Sequence, residues 1–395
     1  VINLCDSCPT NGPYDDDINA LVVWDGTPQL HIPEQCGKPR GDQMIGTPAE
    51  RLTELAGRIC YDSLGTPKSR NSKDYHKHIL EVGHLSVYEH FNFSVSLDYI
   101  QSNDLLTLLL NRPGVFCTIN KPGTPVVTLN LRSVLEWDAR TEYLAREAYG
   151  SGQSSFFVRE SKMMGNVMRY WANQLAPQVV EPPTVDDRRN LNLTSKLVLP
   201  KKQDQMWISV YMSGSRGFSH EQVRHGDQTA ISQRSTRYCD ESESNWATHP
   251  LITKYNSFAA TSLNHKDEDN LKKLSAQATL AVDSSKTVYN TMSDVLASFL
   301  TQHGSDAGTA RKQARGAARG YLGNAIATSM IFSASVSQWR RMIAQRGHPA
   351  ADAEIRLVYS RLLPKLQASA YSREFSDLYL VPSQDGLGHD IQKRS

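Results

Sequence analysis

The chain has few cysteines, no long apolar run and no excess of either charge, and each shortage removes a class of protein. Six cysteines, at positions 5, 8, 36, 60, 117 and 239, are scattered over 395 residues, too sparsely for the disulfide framework of small secreted domains. Reduced thiols are the default. No uninterrupted apolar stretch approaches the ~20 residues that cross a bilayer. The first residues, with Asp15-Asp16-Asp17, are unlike a signal peptide. The expectation is therefore a cytoplasmic chain without a membrane partner. Basic residues number 43 and acidic residues 41, a net charge of +2, which argues against a general nucleic-acid binder. Any anion recognition must be local.

Against that even background, Arg224 to Tyr238 places three arginines, one histidine and four Ser/Thr hydroxyls within fifteen residues. Arginine offers a planar fork of donors that suits phosphate, and hydroxyls fill the remaining oxygen lone pairs. The stretch reads as an anion cradle, with a solvated basic turn as the plain alternative. Metal readings are weaker. Cys5 and Cys8, with His31 and Cys36 downstream, lack the second tight ligand pair of a structural zinc site. His76, His78, His84 and His90 are irregularly spaced, so no metal is assigned. Cys60 and Cys117 lie among apolar neighbours and read as small core residues rather than nucleophiles.

The length allows two domains of ordinary size. The Pro-rich, charged stretch from Glu181 to Asn190 reads as a linker, giving an N-terminal half over 1–182, a linker over 183–195 and a C-terminal half over 196–395. Periodicity predicts a helix over 156–175, with Phe157, Met163, Val167, Tyr170 and Leu175 on its apolar face.

The halves share a plan. Phe91 to Leu97 alternates like a strand, and a helical apolar run follows from Ser102 to Leu110. Met206 to Met212 alternates likewise, and Ser215 to Val223 leads into the arginine motif. Val126 to Trp137 reads as a strand turning into a helix, as do residues 330–342, which sets Asn130 opposite Ser335 and Arg132 opposite Ser337. Each half ends in an apolar helix. The last runs from about Ala351 to Leu363, where Pro364 is expected to stop or kink it. The polar residues are not shared: Gly83 to His90 has no counterpart in the second half, and the Arg224-His225 pair falls opposite Asn111-Arg112, which lacks the downstream Ser and Arg. Complementary losses of this kind suit one composite site at a pseudo-symmetric interface.

Together these segments resemble the flavin-dependent thymidylate synthases, the ThyX family, whose hallmark is an Arg-His-Arg motif followed by a spaced Ser and an Arg-Tyr pair. Cys60-Tyr61-Asp62-Ser63, Gly83 to His90, Asn130-Leu131-Arg132-Ser133, Arg224 to Tyr238, Arg319 to Leu322, and Gln345-Arg346 to Glu354-Ile355-Arg356 occur in family order. Ordinary members are about half this long and act as homotetramers. The resemblance therefore implies an α+β fold of two tandem ThyX-like halves, each a mixed β-sheet with flanking helices, whose homodimer would mimic the tetramer. It also implies C5-methylation of a uridine monophosphate, with 5,10-methylenetetrahydrofolate supplying the carbon and NADPH reducing FAD. Carried over by position, Glu221, Arg224, Gln233, Arg234, Ser235, Arg237 and Arg319 would bind the nucleotide, and Arg346 would face the pyrimidine as the catalytic cation. His84, Ser86, Glu89, Asn130, Arg132, Arg224, His225 and Gln233 would hold the flavin. Read without the family, Arg346 is equally a helix C-terminal arginine complementing the dipole.

Three departures from the family pattern stand out. The motif's third residue is Gly226 instead of arginine, with one extra residue before Ser235; Arg234 is a candidate to replace the charge. A common Gln is Glu221, whose carboxylate accepts strongly from a sugar hydroxyl. Gly323 replaces a frequent Pro. These changes resemble specialised paralogues of the family, such as the UMP C5-methylase of polyoxin-type antibiotic pathways. An ordinary dUMP methylase, transfer of a hydroxymethyl group and a non-catalytic nucleotide-binding scaffold stay open as alternatives.

Overall fold

Short strands that run directly into capped helices lay down two four-stranded antiparallel sheets. The computed structural model describes residues 20–97, 115–121, 124–137, 164–181, 195–226, 229–261 and 264–394. In chain order the first elements are β1 (Ala20–Trp24), α1 (Pro48–Tyr61), α2 (Ser72–Glu81), β2 (Asn92–Leu97), β3 (Val115–Lys121), β4 (Thr124–Asn130), α3 (Leu131–Leu135) and helix α4 over 164–175. Next come β5 (Ser195–Val198), β6 (Trp207–Ser215), α5 (Arg216–Gln222), β7 (Thr229–Gln233), α6 (Pro250–Thr261), α7 (His265–Gln302) and α8 (Ala307–Ala318). The chain closes with β8 (Ala327–Ser335), α9 (Val336–Arg346), α10 (Ala353–Gln367), β9 (Leu378–Pro382) and β10 (His389–Lys393).

One sheet runs β1-β6-β8-β7 and the other β5-β2-β4-β3, while β9 and β10 form a separate hairpin. Read this way the two pairing orders coincide. Asn92, the first residue of β2, pairs with Asn130, the last of β4; Trp207, the first of β6, pairs with Ser335, the last of β8. Asn130 and Ser335 both cap the following helix, accepting from Ser133 N and Gln338 N, which satisfies a backbone donor that has no partner inside its helix. Two residues inward, Ser94 meets Thr128 hydroxyl to hydroxyl at 2.7 Å and Ser209 meets Ser333 at 2.6 Å. The edge strands are exchanged: β1, early in the chain, pairs with β6, and β5 pairs with β2.

Two cores follow from these sheets. One gathers α1, α2, β2, β4 and α4 around the buried Leu52, Leu55, Tyr88, Leu129 and Trp137. The other packs β6 and β8 against α9 and α10 around Val210, Phe332, Trp339 and Leu362. Trp339 is fully buried and donates its indole N–H to Ile208 O at 3.0 Å, so its large apolar area is removed from water without stranding a donor. Within the first core, Arg58 and Glu54 form a buried pair at 2.6 Å. Glu54 also accepts from Ser72 Oγ at 2.7 Å and Met44 N at 3.2 Å, the added hydrogen bonding that a buried charge requires.

Several sequence expectations change, and the first is the mixed β-sheet of each half: every strand pairing described in the two sheets is antiparallel. Of the helix over 156–175, residues 164–175 are helical and the rest lie outside the described residues. Its buried face carries Met164, Val167, Met168 and Ala172, whereas Tyr170, expected on that face, is exposed. Pro364 does not stop α10, which continues to Gln367. Proline removes one hydrogen bond near the helix end, but Leu362, Leu363 and Leu366 are buried on both sides of it and hold the last turn in place. Of the linker over 183–195, Ser195 is the first residue of strand β5 and the rest lies outside the described residues, as do the run Ser102 to Leu110 and the Asn111-Arg112 pair. No helix among the described residues is long and apolar enough to cross a membrane.

Candidate functional site

The candidate site forms where β6 and β7 end and β8 begins. Ser215 caps α5 by accepting from Phe218 N at 3.0 Å, and Glu354 grips Ser215 through both its N and Oγ at 2.7 Å. Gly214 leaves space there for Glu354 and Phe218, which lie at 3.0 Å or closer to where a Cβ would stand. Tyr359 OH donates to Gln222 Oε1 at 3.0 Å, which fixes the inward face of α5. Glu221 therefore looks outward, followed by the 3-10 turn Val223–His225.

Arg346, the last residue of α9, arrives opposite. It donates Nη1 to Glu221 Oε2 at 2.6 Å, Nη2 to Glu221 O at 3.3 Å and Nε to His225 Nε2 at 2.8 Å. Its guanidinium is thus directed at α5 and the turn after it. Burial, then the positive charges of Arg346 and Arg341, lowers the His225 pKa. A neutral imidazole accepting at Nε2 is the state this geometry requires.

A second group of charges surrounds the end of β7. Arg234 N donates to Ser329 O and Ser235 N to Cys60 O, both at 2.9 Å, so the segment after β7 is tied to β8 and to the end of α1. Arg234 puts Nη1 on both oxygens of Glu241 at 2.6 Å and Nη2 on Asp62 at 3.4 Å. Its charge is answered by protein carboxylates, and it braces the wall. Arg237 and Arg319 are exposed, and Ser235, two residues before Arg237, is half-buried. Gly316 on α8 lies 3.8 Å, measured from its ideal Cβ, from Arg237 Nε. Arg315 pairs with Asp240 at 2.5 Å and donates to Tyr238 O at 2.9 Å, docking α8 onto the motif.

Sequence reading missed Arg216 and Glu241. Arg216 is partly buried at the start of α5, and its pKa is lowered by burial against the opposing pull of Glu241, with Arg319 repelling it. A cation held near another cation favours an anion between or beside them. The available signal was a strand ending in the Ser215 cap with Arg216 directly after it. For Glu241 it was the acidic run Asp240 to Glu243 just downstream of Arg234.

The remaining predicted residues fall into separate places. His84 Nδ1 lies 2.7 Å from Tyr61 OH, and Tyr61 meets the Tyr238 ring edge-on at 5.0 Å, so His84 reaches the motif through two aromatic rings. A cleft of about 270 Å³ lies there, lined by Tyr61, Ser63, Arg70, His78, His84 and Tyr238. Arg132 bridges Glu89 at 2.5 Å and Glu136 at 2.8 Å, and Asn130 uses Oδ1 for its cap. Ser86 and Arg224 are exposed. Gln233 donates to Ser219 Oγ at 2.8 Å and Thr328 Oγ1 at 3.3 Å, so it joins α5 to β8.

Among the described histidines, His90 is fully buried between Ser333 Oγ at 2.7 Å and Ser232 Oγ at 2.9 Å, and burial drives its pKa to about 3. It is a structural imidazole between hydroxyls. Cys60 is half-buried rather than a core residue; its thiol donates to Gln233 O at 3.1 Å. Burial pushes the Cys60 and Cys239 thiols up to about 11. Neither presents a thiolate near neutral pH.

Residues 203–370 match the sequence model of the family described as thymidylate synthase complementing protein. A flavin-dependent thymidylate synthase of Mycolicibacterium gilvum is 33% identical over 180 residues, 45% of this chain and 64% of that protein. The Mycobacterium marinum protein of the same name is 33% identical over 181 residues with the same coverage. The chain thus spans 64% of the length of these curated relatives. A crystal structure of Thymidylate Synthase X from Helicobacter pylori with FAD and dUMP covers 65% of this chain and 95% of that one, at 13% identity and a TM-score of 0.28, a superposition too loose to speak for the fold.

Proposed function

We propose that the chain is a member of the thymidylate synthase complementing protein family, whose sequence model matches residues 203–370, and that it carries out flavin-dependent C5-methylation of a uridine monophosphate. The observation that carries this reading is the contact of Arg346 with both Glu221 and His225; Arg237 and Arg319 are, separately, exposed cations. One cation is placed by protein partners, as a transition-state contact requires, and the others remain open to an anion.

In this reading Ser235, Arg237 and Arg319 hold the nucleotide phosphate, with Arg216 adding charge from behind. Arg346 stabilises negative charge developing on the uracil carbonyl and N3, and its pairing with Glu221 and His225 pre-organises it. Glu221 offers its second oxygen, Oε1, to a sugar hydroxyl, which favours UMP over dUMP and would suit a role in nucleoside-antibiotic assembly.

For FAD, the residues present fit a planar group with donors and phosphates. Asn92 Oδ1 is buried without a hydrogen-bond partner, while its Nδ2 donates to Glu89 O at 3.1 Å and its backbone pairs with Asn130. An acceptor left open at that point suits an imide N–H. His84, Ser86, Glu89, Asn130 and Arg132 would hold one part of the group, and Arg224, His225 and Gln233 another. The group itself would supply the hydride, reduced by NADPH, with methylenetetrahydrofolate as carbon donor.

The coincident pairing orders of the two sheets support two tandem ThyX-like halves, over 1–182 and 196–395, and a homodimer that mimics a tetramer. The test is tritium release from 5-tritiated UMP and dUMP, side by side, with NADPH, FAD and methylenetetrahydrofolate. Faster release from UMP is expected, and product mass distinguishes methyl from hydroxymethyl. Colourless protein that takes up no flavin and releases no tritium from either nucleotide would end this reading in favour of a binding scaffold.

A further inference from the structure

We propose that the C-terminal hairpin β9–β10 is a clamp that positions Arg346, with Ile391, Arg356 and Asp385 as its positioning residues; the inference rests on the reading of Arg346 given above. The hairpin lies beyond the family match, which ends at residue 370, yet it seats directly on the residues that follow Arg346. Ile391 N donates to Gly347 O at 2.8 Å. A Cβ on Gly347 would stand 2.7 Å from Ile391 Cβ and 2.8 Å from Ile391 Cδ1, so glycine is what allows the strand to approach so closely.

The next residues are held from the same side. Arg356 on α10 donates Nη1 to Pro349 O at 2.9 Å. The same guanidinium is ion-paired to Asp385 in the hairpin turn, and it reaches Asp390 on β10 at 3.3 Å. Arg356 is 2% exposed, so its direction is set by these partners. Burial opposes ionisation of Asp385, but its hydrogen bonds from Ser383 and Arg356 carry it down to about 2, so the pair persists at neutral pH. Ser383 Oγ and Leu387 N fix Asp385 Oδ1 at 2.7 Å and 2.8 Å. The loop Gly347 to Pro349 is thus pinned at its first residue by the hairpin itself and at its last by Arg356 of α10, which Asp385 and Asp390 of the hairpin hold in place, and Arg346 precedes it with no intervening residue. A small rotation at the end of α9 would swing the guanidinium away from Glu221 and His225.

The test is a double-mutant cycle on nucleotide affinity, measured calorimetrically in the full chain with UMP, dUMP and ribose 5-phosphate, which carries the phosphate without the base. Asp385→Asn is expected to weaken binding of its better uridylate about tenfold, the scale of one charge-assisted hydrogen bond, and to leave ribose 5-phosphate unchanged. In Arg346→Ala protein the same substitution should have no further effect. Asp377→Asn, which breaks the Arg340 pair at the other end of the hairpin, is the control: a lower melting temperature with uridylate affinity unchanged. Should Asp385→Asn fail to fold, Ser383→Ala removes one hydrogen bond to Asp385 and should give the same pattern with a smaller loss. A loss that persists in full without Arg346, or that extends equally to ribose 5-phosphate, makes the hairpin merely structural and overturns the clamp alone. Wild-type protein that binds neither uridylate and releases no tritium overturns the functional reading, and the clamp falls with it.

Discussion

Arg346 Nε donates to His225 Nε2 across 2.8 Å, and because a guanidinium only donates, His225 carries its proton on Nδ1. Burial and the charges of Arg346 and Arg341 lower the His225 pKa. His225 should therefore titrate below its ordinary value of 6.5. Arg346→Ala should move that titration upward by removing one of the two repelling charges. Histidine NMR signals followed through a pH series check this, and an unchanged or lowered midpoint in the variant would contradict the contact.

Arg237→Ala and Arg346→Ala should fail differently. Losing Arg237 removes a charge-assisted contact to phosphate, a cost of about 1.5–3 kcal/mol, and should weaken uridylate binding roughly ten- to a hundredfold with flavin retained. Losing Arg346 should lower turnover by about 10²-fold or more, also with flavin bound. Calorimetry with UMP or dUMP, flavin absorbance and tritium release separate the two outcomes.

Acid should destabilise the fold through its buried histidines. Burial lowers His90 to about 3 and His76 to about 4, against 6.5 for the ordinary side chain. Between those values the unfolded chain binds protons that the folded one does not. Stability from these groups is therefore complete above pH 6.5 and is lost as pH falls towards 4 and then 3, by up to about 1.4 kcal/mol per pH unit for each histidine. Urea midpoints at pH 7, 5.5 and 4 should decline in that order, and His90→Gln should flatten the decline while lowering the midpoint at pH 7.

Gly57→Ala should destabilise α1 although alanine is the better helix former. The Tyr75 hydroxyl occupies the place of the added methyl, with ring Cζ at 3.0 Å and Val87 Cγ1 at 3.2 Å. Overpacking of this kind costs about 1–3 kcal/mol, more than the ~1 kcal/mol that alanine gains in a helix. Thermal melts should show the loss, and Tyr75→Phe in the same chain should restore part of it.

What could be read in the sequence was local. The strand-to-helix passages at Val126 to Trp137 and at 330–342 combine period-two alternation with a polar cap, and this pattern makes Asn130 and Ser335 equivalent positions, each the cap of the helix that follows. The arginine motif was equally plain, because charge density is visible residue by residue. Partner choice was not. That Arg234 would be taken by Glu241, or that Arg346 would rest on Glu221, depends on how β7, β8 and α9 meet. The 38-residue α7 carries little sequence signal because its surface is largely exposed and rich in Ser and Thr, so periodicity is faint. The C-terminal hairpin carried a usable signal in Asp385-Gly386 between Leu380 and Ile391, where a tight turn joins alternating residues.

The exchange of edge strands has a consequence for how the chain reaches its native state. β1 completes a sheet built from residues 207–335, and β5 completes one built from residues 92–130. Neither sheet is whole until distant segments of the chain have found each other; the sheet that takes β5 can close once residues 195–198 are made, but β1 waits for residues 207–335, most of the molecule. Such long-range closure is slow and favours an all-or-none final step. A chain severed between Glu181 and Ser195 should yield fragments that each lack an edge strand, and that recover full structure only by clasping one another.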